Sequence, residues 1–149
     1  MLWGGFNASN LLPLQFVTSR MKSDDYQKTL EASLMPFLDE NRHCKYTYQQ
    51  DNASIHVSKS SRDWFKARNV DLLDWPALSP DLNPMENLWA YIVQEVYGSG
   101  TQYDTVEELK RAILHCWTKI EPDLCKNLVD SMPDRIADVL ENQGNKINY

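Results

Sequence analysis

The sequence is short of cysteine, and its few cysteines do not form the pairs that bind metal or build a disulfide framework. Cys44, Cys116 and Cys125 are an odd number, and no two of them form a Cys-x-x-Cys pair. This argues against a disulfide-stabilised secreted domain and against a zinc ribbon. The three thiols are therefore predicted to be packing residues in a protein of a reducing, intracellular compartment.

The sequence also lacks an excess of basic residues. Lys and Arg number 15 against 21 Asp and Glu, which gives a net charge of −6. A protein that grips DNA by itself usually presents a basic face, which displaces counterions from the phosphates. Either the chain does not bind nucleic acid, or the basic part of a nucleic-acid-binding protein lies elsewhere.

Long apolar runs are missing as well. No segment approaches the roughly 20 apolar residues that span a bilayer, and the N-terminus lacks the apolar core of a secretory signal. No membrane association is expected. The 149 residues, 42% of them hydrophobic, are enough for one globular domain with a sizeable core.

Short apolar or aromatic segments alternate with helical patterns along the chain. Strands are predicted over residues 11–17, 46–50 and 70–75. Helices are predicted to begin after a cap at Ser23, near Asn83 and at the Thr105 capping box, and to cover 58–68. A last helical region is predicted from Pro122, with a break or restart at Pro133 and a stop at Gly144. This alternation predicts an α/β fold with a mixed sheet flanked by helices, and functional residues in such folds gather at strand ends.

Helical spacing further predicts which side chains face the core. The helix from Ser23 contains Pro36, which should kink or end it. The residues predicted to point inward are Tyr26, Leu30, Leu34 and Phe37 in that helix, Val106, Leu109, Ile113, Trp117 and Ile120 in the helix from Thr105, and Ile136, Val139 and Leu140 in the last one.

Asp51 directly follows the predicted strand 46–50. A carboxylate just past a buried strand is placed to hold a hard cation through oxygen. An aspartate in this position also commonly caps the following turn through its side chain. The segment alone leaves both roles open.

Glu86 lies near the start of a predicted helix, after a loop stiffened by Pro76, Pro80 and Pro84. Asn83 is a good N-cap and Pro84 suits the first helical position, so Glu86 is the third helical residue. Asn-x-x-Glu is a capping-box pattern, in which the glutamate supports its own helix. The same geometry would fix a carboxylate rigidly for a metal site, and both roles stay open.

The two segments together are far more specific. Residues 51–56 read DNASIH, residues 75–89 read WPALSPDLNPMENLW, and 34 residues separate Asp51 from Glu86. These motifs and this interval resemble those of the Tc/mariner transposases, and of their Tc-like branch in particular, within the DDE-type integrases and ribonuclease H-like nucleases. The resemblance runs from Trp3-Gly4 through residues 132–135, which read MPDR, to residues 144–149.

The resemblance implies a ribonuclease H-like catalytic domain in which three carboxylates hold two divalent ions, Mg²⁺ or Mn²⁺. Two such ions, about 3.5–4 Å apart, stabilise the attacking and leaving oxygens of phosphoryl transfer. Asp51 and Glu86 would be catalytic metal ligands of a DNA endonuclease that cuts transposon ends and joins them to target DNA. The implied partners are DNA and a second copy of the chain, and the implied location is the nucleus.

One part of the family pattern has no match. The family's first catalytic aspartate lies on the first strand of the sheet, upstream of the strand matched here by residues 2–4. Residues 1–149 are therefore expected to form a partial catalytic domain without that first strand and without the family's N-terminal helix-turn-helix DNA-binding region. The absence of that region would account for the acidic balance of charge.

The missing aspartate leaves open whether the chain is an enzyme. Removing one carboxylate from a two-metal site leaves a metal under-coordinated and misplaced, so the chain alone is expected to be inactive. The alternative is a domesticated or degenerate transposase remnant, which would act by association with protein or DNA rather than by catalysis.

Five further residues are weaker candidates. Asn52 would either orient Asp51 or complete a turn, and His56 is expected to support Asp51 by a hydrogen bond rather than to bind metal. Lys59, Arg62 and Lys66 share one face of the predicted helix 58–68, where they would either contact DNA phosphates or form a solvated face.

Overall fold

The computed structural model describes residues 1–77 and 79–147, which form two compact units. The described residues of the first unit are Met1–Gly5 and 12–77, and those of the second are Phe6–Leu11 and 79–147. The motif that holds Asp51 belongs to the first unit, and the helix that holds Glu86 belongs to the second.

Four strands and two helices make up the described part of the first unit. They are β1 (Leu2–Trp3), β2 (Gln15–Phe16), α1 (Ser23–Glu40), β3 (Thr47–Tyr48), α2 (Lys59–Ala67) and β4 (Asp71–Leu72). Ser58 caps α2, since its hydroxyl accepts a hydrogen bond from the Ser61 amide. The predicted helix 58–68 is therefore confirmed at its start.

The strands form two short ladders. β1 and β2 are antiparallel, with Leu2 opposite Phe16, whereas β3 and β4 are parallel, with Thr47 opposite Asp71. Each predicted strand segment contains one of these strands, but the strands are only two residues long. Within the described residues each strand pairs with one other strand only, over two residues. The mixed α/β character is confirmed.

The core of the first unit collects side chains from both helices and from the strand segments. Its buried members are Trp3, Leu12, Tyr26, Leu30, Leu34, Trp64 and Phe65. Of the two effects predicted for Pro36, ending α1 is wrong, because the helix continues to Glu40, and the N-cap of α1 is Lys22 rather than the predicted Ser23. Pro36 and Ala32, whose carbonyl loses its usual amide partner, both lie on the exposed side of the helix, where water can satisfy that carbonyl.

The second unit is helical in its described part, apart from residues 6–11, where Phe6 and Leu11 form an isolated antiparallel bridge. It contains a 3₁₀ turn (Pro80–Leu82) followed by α3 (Pro84–Tyr97), α4 (Val106–Lys119), α5 (Pro122–Asp130) and α6 (Met132–Glu141). Its core includes Leu88, Ile92, Val96, Trp117, Ile120, Cys125 and Ile147. α3 packs against α4 and α5, and the ring of Trp89 stacks on that of Trp117 with centroids 5.8 Å apart.

The inward faces predicted for α4 and α6 are partly wrong. Val106, in the first turn of α4, is 67% exposed, although Trp117 and Ile120 are buried as predicted. Ile136 and Leu140 of α6 are 50% and 74% exposed, and the buried residue of that helix is Arg135. The hydrogen bonds of the arginine turn this side of α6 inward, so tertiary contacts override the apolar periodicity.

The ends of α6 follow local backbone rules. The chain restarts as a helix after Ser131, and Pro133 lies in the first turn of α6, where its missing amide costs no intrahelical bond. The predicted break at the proline is thus displaced by two residues. Gly144 has a φ of +81° and donates its amide to the Val139 carbonyl at 2.8 Å, which is a C-terminal cap of the kind predicted.

The cysteines are free and differ in burial. Cys125 is buried and Cys116 half-buried, as packing residues should be, but Cys44 is exposed. Within residues 1–77 and 79–147, no helix is both long enough and apolar enough to cross a membrane.

Candidate active site

The Asp51 carboxylate uses one of its two oxygens to hold the loop that follows β3. Oδ1 accepts hydrogen bonds from the Ala53 amide at 3.0 Å and from Nδ1 of His56 at 2.6 Å. The side chain is 56% exposed, and Oδ2 makes no hydrogen bond within the described part of the chain. Asp51 therefore fills the predicted turn-capping role and still presents a free oxygen to solvent.

His56 is fixed on two sides. Its ring packs on the ring of Tyr26 with centroids 4.3 Å apart, while its Nδ1 contacts Asp51, and its side chain is only 20% exposed. The hydrogen bond that we predicted between His56 and Asp51 is thus present. An imidazole held in this way restricts the rotation of the Asp51 carboxylate.

A buried polar network extends this support into the core, and it was not predicted from the sequence. The hydroxyl of Tyr26 donates to Oε1 of Gln50 at 2.6 Å and lies 3.2 Å from the hydroxyl of Tyr48. Burial raises the pKa of Tyr26 well above its ordinary value, and the neighbouring Tyr48 and Asp51 add to that rise. Tyr26 therefore stays a neutral hydrogen-bond donor next to the motif.

Asn52 does not touch the Asp51 carboxylate. Its side-chain amide donates to the Trp75 carbonyl at 2.8 Å, which ties the loop after β3 to the loop after β4. The hypothesis that Asn52 orients Asp51 by a direct hydrogen bond does not match this geometry. Nor does this contact complete a local turn, the other predicted role, because it joins residues 23 positions apart.

Glu86 lies in the first turn of α3, as predicted, but it does not form the predicted capping box, because the backbone amide of Asn83 donates to the Pro80 carbonyl at 3.0 Å. Asn83 is the N-cap, since its Oδ1 accepts from the Met85 amide at 3.2 Å, and Pro84 is the first helical residue. The side-chain amide of Asn83 lies 3.4 Å from Oε1 of Glu86. Glu86 is exposed, and its Oε2 has no hydrogen-bond partner within residues 1–77 and 79–147. Both carboxylates thus have one oxygen held by the protein and one free.

The predicted basic face of α2 is solvated. Lys59, Arg62 and Lys66 are all exposed, and Lys59 pairs with Asp63 of the same helix at 2.5 Å. The side chains of Arg62 and Lys66 form no ion pair within the described part of the molecule. Two of the three cations therefore remain available to an anionic partner.

The described residues contain no group of three or more His, Cys, Asp or Glu side chains that could hold a metal ion. The candidate ligands are instead single carboxylates, one in each compact unit. Carboxylate oxygens are the ligand type that Mg²⁺ prefers, and Mg²⁺ needs few of them because it keeps several waters. The free Oδ2 of Asp51 and Oε2 of Glu86 fit this kind of ion.

Comparison with known proteins identifies the family to which the chain belongs. The family model described as DDE superfamily endonuclease matches residues 1–110. The chain is 49% identical over its whole length to the Tc3 transposase of Caenorhabditis elegans, covering 45% of that protein, and 33% identical to the Tc1 transposase of the same organism, covering 54%. The chain thus spans about half the length of the curated relatives it matches.

Solved structures supply the fold. The catalytic domain of Mos1 transposase, determined with raltegravir and Mg, superposes with a TM-score of 0.88 at 19% identity, covering 99% of this chain and 76% of that one. A Mos1 paired-end complex with the left transposon end gives 0.84 at 20% identity, covering 99% and 44%. The predicted ribonuclease H-like fold is confirmed. Because the family model matches 110 of the 149 residues and includes both Asp51 and Glu86, the chain belongs to the DDE superfamily endonucleases, alongside the Tc1 and Tc3 transposases.

Proposed function

We propose that this chain is the larger part of a transposase catalytic domain that cleaves DNA and joins it to a target by divalent-metal-dependent phosphoryl transfer. The observation that carries the proposal is the pair of carboxylates. Asp51 and Glu86 stand in the family's motifs at the family's interval. Each carboxylate contacts the protein through one oxygen, and the other oxygen makes no hydrogen bond to any residue that the structure describes. A carboxylate that served only as a cap would not require this pairing.

Mg²⁺ or Mn²⁺ is the proposed cofactor, and Asp51 and Glu86 are its proposed ligands. When bound, the ions would stabilise charge on the attacking and leaving oxygens of the phosphodiester. The protein residues do the positioning. His56 keeps the Asp51 carboxylate in one orientation, and the Asn83 cap keeps Glu86 at the start of α3.

DNA is the proposed substrate, with Arg62 and Lys66 as phosphate contacts beside the Asp51 loop. Two exposed cations cannot displace many counterions from DNA, and the net charge of the chain is −6. Most of the affinity for DNA would therefore come from outside residues 1–149. Pairing of two copies on two transposon ends and a nuclear location are parts of the same proposal.

The alternative function is that of a non-enzymatic remnant, in which Asp51 and Glu86 serve only the structural contacts that they make at the turn after β3 and at the start of α3. The two proposals can be separated with a chimera in which residues 1–149 replace the matching stretch of the C. elegans Tc3 transposase, which we call the Tc3 chimera. The relative supplies the remainder of the domain, and 49% identity over the whole chain makes the exchange practical.

The purified 149-residue chain should not nick DNA in Mg²⁺ above the background of its Asp51→Ala and Glu86→Ala variants, within about twofold, because two carboxylates cannot position two ions. The Tc3 chimera should cut a Tc3-end substrate under the same conditions. Nicking of a supercoiled plasmid and of an end-labelled duplex measures both. Robust cleavage by the chain alone that both alanine variants abolish would contradict the expected inactivity. A chimera without cleavage would favour the remnant.

Replacing His56 with alanine in the Tc3 chimera should weaken Mn²⁺ binding about 10- to 100-fold, because ligand-supporting partners typically contribute this much. His56→Asn should recover part of the loss, since its amide can donate from near the position of Nδ1. Mn²⁺ titration followed by electron paramagnetic resonance gives the affinity. The matched control is His43→Ala, an exposed histidine of the same unit. Equal affinities for His56→Ala and His43→Ala would refute this role for His56.

A further inference from the structure

A buried arginine joins the C-terminal helix of the second unit to the segment that presents Glu86. Arg135 is 2% exposed and is the largest fully buried side chain among the residues that the structure describes. Its position on α6 lies beyond residues 1–110, which the family model covers. Burying a guanidinium is costly unless its hydrogen bonds are satisfied. The hydrogen-bond partners of Arg135 therefore indicate which segments it connects.

The Arg135 guanidinium bonds to one residue before α3 and to one residue in its first turn. Nη1 donates to the Asp81 carbonyl at 3.0 Å and to Oδ1 of Asn87 at 2.9 Å. Asp81 lies in the 3₁₀ turn and Asn87 in the first turn of α3. One nitrogen therefore closes the stretch 81–87 into a loop, and Glu86 lies inside it, next to Asn87.

Arg135 is itself anchored in its own helix pair. Its Nε donates to the hydroxyl of Ser131 at 3.0 Å, and that hydroxyl donates to the Leu128 carbonyl at 2.8 Å. The rigid planar fork of arginine loses little entropy in making several hydrogen bonds at once. The junction of α5 and α6 thus fixes the direction of the guanidinium.

A second contact from the C-terminal region reaches the same turn. The Ile147 amide donates to Oδ2 of Asp81 at 2.9 Å, and Ile147 is 4% exposed. The 3₁₀ turn is therefore held at its carbonyl by α6 and at its carboxylate by the chain that follows α6. Arg135 and Ile147, which both lie more than 50 residues further along the chain, thus bind the same residue of this turn, Asp81.

We infer that Arg135 is a positioning residue for Glu86: the C-terminal helix sets the placement of this carboxylate through the bonds to Asp81 and Asn87. This inference rests on the proposed role of Glu86 as a metal ligand. The Asn83 cap acts through its immediate neighbours, whereas the hydrogen bonds that link Asp81 to Asn87 through one side chain come from α6. The residues beyond 110 thus serve the site rather than only the stability of the unit.

The test compares Arg135→Lys and Arg135→Met with Ile120→Ala, a core variant of the same unit that lies outside the 81–87 segment. In the 149-residue chain, amide hydrogen exchange is measured at Glu86 and Asn87 and, as an internal reference, at Val96 near the end of α3. Both Arg135 variants should speed exchange at Glu86 and Asn87 about tenfold or more relative to Val96, because the loop is no longer closed. Ile120→Ala should change all three sites alike.

The same variants in the Tc3 chimera give the functional arm. Arg135→Lys should raise the Mn²⁺ concentration needed for half-maximal cleavage and lower the rate about tenfold or more, with Arg135→Met more severe. Ile120→Ala should lower cleavage only in proportion to the unfolded fraction. Uniform exchange along α3 in the Arg135 variants, or cleavage losses that follow the unfolded fraction as for Ile120→Ala, would overturn the inference. A failure of the proposed function would give a different result. In that case Glu86→Gln would leave cleavage by the Tc3 chimera intact, while the Arg135 variants would still speed amide exchange at Glu86 and Asn87.

Discussion

Replacing Asp51 with asparagine in the Tc3 chimera should lower DNA cleavage at least about 100-fold, because small misplacements in a two-metal site have effects of this size. Asparagine keeps the shape of the side chain and its Oδ1, so the bonds from Ala53 and His56 can persist. What it removes is the charge and the second carboxylate oxygen. Glu86→Gln should have an effect of similar size for the same reason.

Cleavage is measured with an end-labelled Tc3-end duplex over a range of Mg²⁺ and Mn²⁺ concentrations. The matched controls remove one exposed acid from each unit without touching the motifs: Asp74→Asn for Asp51, and Glu95→Gln, on the same helix, for Glu86. Each control should stay within about threefold of the parent, as surface changes away from a site usually do. If Asp51→Asn cleaves as well as Asp74→Asn, the metal-ligand role of Asp51 is wrong.

The site could be predicted only by considering Asp51 and Glu86 together. Taken singly, neither indicates a metal site, since Asp51 holds the turn after β3 and Glu86 contacts the side-chain amide of its N-cap residue. Only their interval and the surrounding motifs indicate a shared function. The sequence also predicts the Asn83 cap at the start of the Glu86 helix, because this cap acts through a local backbone amide.

The supporting contacts could not be predicted in the same way. Arg135 reaches Asn87 across 48 residues of chain, and the apolar pattern of α6 pointed to Ile136 and Leu140 as the buried residues. The stack of His56 on Tyr26 likewise joins a loop to a helix 30 residues earlier. Such contacts depend on which segments pack together in three dimensions. A periodic pattern indicates only which face of a helix is apolar.

Replacing Phe65 with alanine should lower the free energy of unfolding by about 3–5 kcal/mol, the usual cost of emptying a buried aromatic site. Phe65 is 1% exposed, and its ring lies 5.1 Å from that of Trp64 and 5.7 Å from that of Tyr48. Most domains have only about 5–15 kcal/mol in total, so this one change removes a large share.

The functional consequence of the Phe65 change follows from the position of Tyr48. Tyr48 belongs to β3, lies three residues before Asp51, and shares its hydroxyl contact with Tyr26, on which His56 stacks. A cavity at Phe65 therefore loosens the base of the Asp51 loop. Urea unfolding followed by tryptophan fluorescence measures the loss in the 149-residue chain. The control is Phe16→Ala, where the ring is 38% exposed and the expected loss is at most about 1 kcal/mol. Equal losses at both phenylalanines would contradict the place of Phe65 in this core, and with it the idea that this core sets the placement of Asp51.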